Sequence, residues 1–284
     1  MPLKIGTEIV SEMKIGTEIV GGMKIGTEII YSSEEETSGV MYAVGSDPTS
    51  SLRNALALYT IDITTGTLTK ITQGNTFGIT GGCGGLAWDG TNLYMIEYFN
   101  SSTRGLYTID RMTGIVTKVG SATNFGANLT NPRGLAWDGT NLYMSDQNTD
   151  NLYTVDRTTG IATRVGRSTD FNLSGSSHRL FGLVWNGTYL YAQITYSRND
   201  GTHQWLLLMN RTEGFSARGW VIQLNQFGGL GDMTWDGTNA YILDTGNRSY
   251  YTLNLALRGV ALGERITNQI RTGNIGLSGL AFVS

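Results

Sequence analysis

Residues 134–143 read Gly134-Leu135-Ala136-Trp137-Asp138-Gly139-Thr140-Asn141-Leu142-Tyr143. An apolar run ending in tryptophan, an Asp-Gly turn signal and a second apolar run describe two short antiparallel strands. The phrase recurs from Gly85 through Trp88-Asp89-Gly90 to Tyr94, and from Gly182 through Trp185-Asn186-Gly187 to Tyr191. A further copy runs from Met233 through Trp235-Asp236-Gly237 to Tyr241, and Gly279-Leu280-Ala281-Phe282 closes the chain as a truncated one. The copies are spaced by about 50 residues, a period that, with strand and turn signals alone, specifies the blades of a β-propeller.

Outward from the phrase, one unit predicts four strands. Residues 134–137 and 142–145 form the first two. Leu152-Tyr153-Thr154-Val155 is the third, and the Asp156…Gly160 turn leads to a fourth over 161–165. That turn recurs as Asp62…Gly66, Asp110…Gly114 and Asn210…Gly214, with one extra residue in Asn254…Gly259. Third strands fall at Tyr59, Tyr107, Tyr153, Leu206 and Tyr251. The unit starting at Gly39 has no first strand before it, and the copy at 279–284 has nothing after it. The expectation is an all-β, five-bladed ring of four-stranded blades over 39–284, closed by pairing 279–284 with the blade beginning at 39. Large aromatics at equivalent registers are expected to pack between neighbouring blades.

Composition agrees. Of 284 residues 15% are charged, below the ~25% of ordinary globular chains, and 39 glycines supply the tight turns. A net charge of −3 without a basic run removes the electrostatic footprint of a nucleic-acid binder. No stretch reads as a membrane span or as a signal peptide, so synthesis in the cytoplasm is expected, with a final place in a virion or extracellular assembly. A single cysteine, Cys83, has no intrachain disulfide partner and reads as a small buried residue near the axis.

No metalloprotease, nucleophile-elbow, Walker or dinucleotide motif is present, and the two histidines, His178 and His203, lack companion zinc ligands. Candidate binding residues come instead from comparing blades. The loops from second to third strand (45–55, 97–105, 146–151, 195–204, 244–249) and from each blade to the next (73–84, 121–133, 167–181, 225–231, 268–278) diverge on one rim. Variable loops on a rigid frame are where binding is placed. Three residues past the second-strand tyrosine stand Gly45, Glu97, Asp146, Ile194 and Asp244. Glu97, Asp146 and Asp244 either line a cation or sugar site, for which calcium would be the cofactor, or accept hydrogen bonds within their own loops. Arg133, Arg179 and His178 precede the inner strands and could meet anionic groups. Tyr98, Phe99, Tyr196 and Trp205 read as exposed faces for sugar rings or as packing.

A second repeat occupies residues 1–30. Leu3–Val10, Met13–Val20 and Met23–Ile30 repeat with a period of ten, each alternating apolar residues with Lys, Gly and Glu. Each copy is expected to be one short strand, with turns at Ser11-Glu12 and Gly21-Gly22. Ile5, Ile9, Ile15, Ile19, Ile25 and Ile29 would then form an apolar face for docking or oligomerisation, on copies of the chain or other subunits. An acidic polar linker follows at 31–38.

This decapeptide resembles the Lys-Ile/Val-Tyr-x-Gly-Thr-Glu-Ile/Val strand repeats of tailed-bacteriophage tail, fibre and decoration proteins. Ile5, Ile15 and Ile25 replace the aromatic often found before the glycine. The blade repeats are similar to propeller repeats of environmental bacterial and viral proteins. That second resemblance implies fold rather than activity. With the two-part layout and the missing catalytic motifs, the expectation is a non-enzymatic structural or attachment component whose propeller contacts a receptor or surface. The alternatives are a lectin-like glycan binder and a calcium-dependent lactonase-like hydrolase.

Overall fold

A computed structural model describes residues 13–15, 18–20 and 39–283, except 53–54, 73–76, 78, 80–81, 101, 128, 168–177, 199–200, 210–218, 225–226, 255–265 and 273–274. The chain divides into two compact units, Met1–Ser38 and Gly39–Ser284.

In the first unit, β1 (Met13–Ile15) pairs antiparallel with β2 (Glu18–Val20), with Met13 opposite Val20 and Ile15 opposite Glu18. The middle decapeptide is therefore a hairpin, not the single strand expected from its alternation. Ile15 and Ile19 fall on separate strands. Ile5, Ile9, Ile25, Ile29 and the linker 31–38 lie outside the described residues.

The second unit is a five-bladed β-propeller. Its sequence begins with β3 (Val40–Ser46), β4 (Leu56–Ile61) and β5 (Leu68–Lys70). Blade two is β6 (Cys83–Trp88), β7 (Leu93–Glu97), β8 (Gly105–Ile109) and β9 (Val116–Lys118). Blade three is β10 (Pro132–Trp137), β11 (Leu142–Asp146), β12 (Asn151–Val155) and β13 (Ala162–Arg167). Blade four is β14 (His178–Trp185), β15 (Leu190–Arg198), β16 (Gly201–Met209) and β17 (Gly219–Gln223). Blade five is β18 (Leu230–Trp235), β19 (Ala240–Asp244), β20 (Ser249–Leu253) and β21 (Ile266–Arg271). The last strand, β22 (Leu277–Val283), heads the sheet order β22-β3-β4-β5 and completes blade one.

Closure follows the expected pairing, with Leu280 opposite Ala43, Phe282 opposite Met41 and Val283 opposite Val40. The inner strands β22, β6, β10, β14 and β18 each touch the next, and β18 touches β22. In blade four it is Leu207, not Leu206, that takes the register of the third-strand tyrosines, opposite Ala192 as Tyr153 is opposite Met144.

Local chemistry explains the repeated phrase. Asp138 Oδ1 accepts the backbone N–H groups of Thr140 (2.8 Å) and Asn141 (2.7 Å), while Gly139 supplies the positive φ of 92° that closes the turn. Asp89, Asn186 and Asp236 make the same pair of bonds in their blades. Five apolar clusters fill the five blade interfaces. The cluster of blades two and three, for example, joins Tyr94, Ile96 and Leu106 to Leu135, Leu142 and Met144.

The tryptophans pack against these clusters and also ring one mouth of the axis, where Trp88, Trp137, Trp185, Trp235 and Phe282 come together. Arg111 and Arg157 cover the Trp88 and Trp137 rings at 4.3 and 4.1 Å, and Arg157 is ion-paired with Asp89.

Inner strands are bulged near the start of each repeat, for example between Pro132 and Leu135 in β10 and between Leu180 and Leu183 in β14, where the register is filled by Gly134 and Gly182. The bulge brings backbone against backbone at the axis. A β-carbon on Gly134 would sit 2.6 Å from Leu183 N, and one on Gly182 2.6 Å from Gly231 O. Alanine at either site forces neighbouring strands apart.

Deleting residues 277–284 leaves β3 without its inner partner and exposes the blade-five interface at Tyr241 and Tyr250. The expected result is a transition at least about 10 °C lower, or loss of a cooperative transition, in a thermal melt followed by circular dichroism. An unchanged melt would contradict closure by the C-terminal strand.

A candidate binding site at the ring axis

The divergent rim lies at the N-terminal ends of the inner strands. Its three singled-out carboxylates sit where second strands end. Asp146 closes β11, and its Oδ2 accepts Thr130 N (2.9 Å) and Asn131 N (3.2 Å) while its Oδ1 accepts Asn148 N and Thr149 N (both 3.0 Å). Asp244 repeats the arrangement with Gly228, Gly229, Gly246 and Asn247. Glu97 accepts Asn100 N and Thr103 Oγ1, both at 2.9 Å. All three are buried. Of the two sequence readings, geometry gives loop bracing: each carboxylate ties the loop after its strand, and the aspartates also tie the preceding inter-blade loop. Among the described residues no group of three or more His, Cys, Asp or Glu side chains is arranged to hold a metal ion.

The aromatic candidates are less exposed than their loop positions suggested. Positions 195–204 are strand rather than loop in large part, because β15 and β16 form a long hairpin pairing Thr195 with Gln204 and Tyr196 with His203. Tyr196 is accordingly buried and stacks on His203, with centroids 5.1 Å apart. Trp205 is half-buried against the cluster of blades three and four. Phe99 alone of the four is exposed, at 64%. Arg179 is exposed on β14 opposite Thr195. His178 starts the same strand opposite Tyr196; its side chain lies outside the described residues.

Tyr98 and Arg133 are brought together. The guanidinium stands 4.1 Å over the Tyr98 ring, and Arg133 Nε donates to Gln147 Oε1 at 2.9 Å. Arg104 Nε donates to Tyr98 O at 2.9 Å and holds the loop that carries the ring. Both Tyr98 and Arg133 line an axial cavity of about 330 Å³, with Cys83, Phe181, Asp232, Thr245 and Ser278.

Two features of this cavity escaped the sequence reading. Cys83 Sγ lies 2.8 Å from Ser278 Oγ, which donates to Val44 O (3.2 Å), so the thiol is the donor of the pair. Burial pushes the Cys83 thiol up to about 12, and it stays a neutral donor. Asp232, the second feature, occupies the bulge register filled by Gly85, Gly134, Gly182 and Gly279 in other blades. Its carboxyl reaches across the axis, with Oδ2 accepting Leu86 N (2.8 Å) from blade two and Leu280 N (2.9 Å) from blade one. Desolvation drives its pKa far above the carboxylate range against those bonds. The signal was in the sequence, as the one copy of the phrase whose glycine is an aspartate.

Asp150 is a further perturbed group, pushed up to about 7 by burial and opposed by the Leu180 N–H. Asp146 raises it further and the Arg179 charge lowers it.

No protein-family model matches the sequence, and no curated protein matches it. Among solved structures, a chain of the nidogen/laminin complex aligns over 87% of this chain and 98% of its own length, at 13% identity and a TM-score of 0.53. A protein assigned as a 6-phosphogluconolactonase from Bacteroides uniformis aligns over 82% of this chain and 68% of its own, at 14% identity and a TM-score of 0.41. At 13% identity the likeness to the nidogen/laminin chain is one of fold.

Two outcomes follow from these geometries. Asp146→Ala strands four backbone N–H donors and should cost at least about 1–3 kcal/mol in urea unfolding, whereas a wild-type midpoint would contradict the bracing role. For Asp150, the folded pKa of about 7 lies above the ordinary value of 3.8, so the folded state favours the protonated acid. Stability is then lost as pH rises from about 4 to 7. Asp150→Asn removes that loss, and its melting temperature relative to wild type should rise between pH 4 and pH 8. A pH-independent difference would contradict the assignment.

Proposed function

We propose that this chain is a non-enzymatic attachment component of a virion or extracellular assembly, in which the decapeptide unit joins subunits and the propeller recognises a surface. The observation that carries the reading is the contrast between the two units. The ring closes on itself through β22 and β3, and its blades bury one another's faces at five interfaces. The described hairpin of the first unit has two strands of three residues, and a hairpin of that size is marginal in water by itself. Three tandem copies of one decapeptide therefore call for a partner surface, and the same sequence on another copy of the chain supplies an identical edge. The resemblance of the decapeptide to phage tail and fibre repeats adds the assembly context. On the ring, carboxylates committed to bracing loops suit a surface that binds rather than one that turns over a substrate.

The test is the mass of the particle in solution. Full-length protein should run as an oligomer in size-exclusion chromatography with light scattering. Protein lacking residues 1–30 should be monomeric, with a melting temperature within about 3 °C of the full chain. A truncated protein that still oligomerises, or a full-length monomer, would refute the role given to the repeats.

A further inference from the structure

The two rims of the ring differ in which charges they expose. On the rim of short turns Asp62, Asp110 and Asp156 are exposed. On the divergent rim no described carboxylate is. Asp47, Glu97, Asp146, Asp232 and Asp244 are buried there, and Asp150 is half-buried. Their charge is taken up at the bases of the loops, Asp47 by Lys70 at 2.7 Å and Asp146 and Asp244 by four backbone N–H groups each. Four arginines reach the same rim without an acid to meet them. Arg133 and Arg179 stand near the start of the inner strands of blades three and four, Arg248 lies in the loop between β19 and β20, and Arg271 ends β21 opposite Ser249. Arg179, Arg248 and Arg271 are exposed and Arg133 is half-buried. Arg179 is close enough to Asp150 to lower its pKa, but no ion pair joins any of the four to another described residue. They form one arc around the axis. Arg133 lines the axial cavity with Phe181, two residues from Arg179, and with Thr245, three residues from Arg248. Arg248 O accepts Thr272 N at 2.9 Å, which sets Arg271 beside it.

We propose that the divergent rim over blades three to five docks an acidic polysaccharide, whose carboxylates meet Arg133, Arg179, Arg248 and Arg271. A guanidinium without an internal partner offers a two-pronged donor edge that matches a carboxylate. The spacing favours a polymer of sparse charge. Four cations spread over three blades do not match the phosphates of a duplex, which carries one charge per about 1.7 Å. The chemistry around them favours sugar over protein. The arc carries Asn148, Thr195 and Thr245, polar side chains suited to hydroxyl groups. The exposed large hydrophobics of this rim, Leu52 and Phe99, belong to blades one and two, so the arc lacks the apolar centre of a protein interface. The proposal rests on reading the ring as the recognition unit and supplies the partner class for it.

The experiment is surface plasmon resonance of the full-length protein on immobilised polygalacturonate, with dextran as the neutral polysaccharide and double-stranded DNA as the competing polyanion. Saturable binding to polygalacturonate is expected at about 50 mM NaCl, weakened about tenfold or more at about 500 mM as salt screens the surface charge. Dextran should give no saturable signal. Arg133→Gln, Arg179→Gln, Arg248→Gln and Arg271→Gln combined should weaken binding by about tenfold or more. Arg164→Gln removes an exposed arginine from the outer strand of blade three and should stay within about twofold of wild type. A melt on the combined variant separates lost binding from lost folding, and each single substitution, expected to cost about twofold, carries the test if the combination does not fold. Polygalacturonate bound no better than dextran, binding indifferent to salt, or a combined variant that binds like wild type would overturn the proposal. DNA bound more tightly than polygalacturonate, and released by the same four substitutions, would replace it with a nucleic-acid partner. Light scattering on the combined variant should return the wild-type particle mass, so failure of the repeats as an assembly device and failure of the rim are separately visible.

Discussion

The axis of this ring has almost no room for side chains. Five inner strands meet there, and a β-carbon at Gly134 or Gly182 would fall 2.6 Å from backbone atoms of the next strand. That separation is below any real contact, so the residue type at the bulge register is dictated by backbone geometry. The rest of the structure depends on it. Tight inner strands pull the blades together, and the clusters between blades pack only because the strands approach so closely. Paired ends then close the circle. The glycine-rich phrase thus reflects steric exclusion at the axis as much as turn chemistry.

Asp232 is the exception that the axis tolerates because it occupies space the other blades leave. One carboxyl oxygen takes backbone N–H donors from blades one and two at once, cross-bracing strands that are not neighbours in the sequence. Thr234, two residues on, accepts Phe282 N at 2.8 Å and fastens the closing strand again. Blade five therefore carries polar clasps on the strand that arrives last. The cost is a buried carboxyl whose other oxygen has no described partner. A purely structural clasp would have been served as well by asparagine, which brings no proton to titrate.

The ring was legible in the sequence because its determinants are local and repeated. Asp138-Gly139-Thr140-Asn141 fixes a turn through two side-chain bonds, and equivalent residues fix it in every full copy, with Asn186 in the place of the aspartate in blade four. Closure was legible because a first strand was missing at one end and present at the other. The site was less so. Asp146 and Asp244 attracted attention as carboxylates at equivalent positions, but equivalence in a repeat is what structural bracing also produces. Asp232 went unnoticed because its neighbours in space come from blades one and two, far away in the chain. The decapeptide misled for a related reason. Alternation cannot distinguish one strand of eight residues from two paired strands of three, since period two holds along each of them.

The two mouths of the ring divide the labour. At one, Trp88, Trp137, Trp185, Trp235 and Phe282 crowd the axis, and Arg111 and Arg157 cover two of the rings. Short turns braced by aspartate or asparagine fix the backbone around that mouth, so changing its residues changes the frame. At the other, loops of unequal length are tied by buried carboxylates at their bases, which leaves their outer residues to vary without loosening the strands beneath. The axial cavity opens among those loops and is walled by all five inner strands, so a ligand there would contact every blade at once. Rigidity imposed at the axis fixes the positions of the residues that line this cavity.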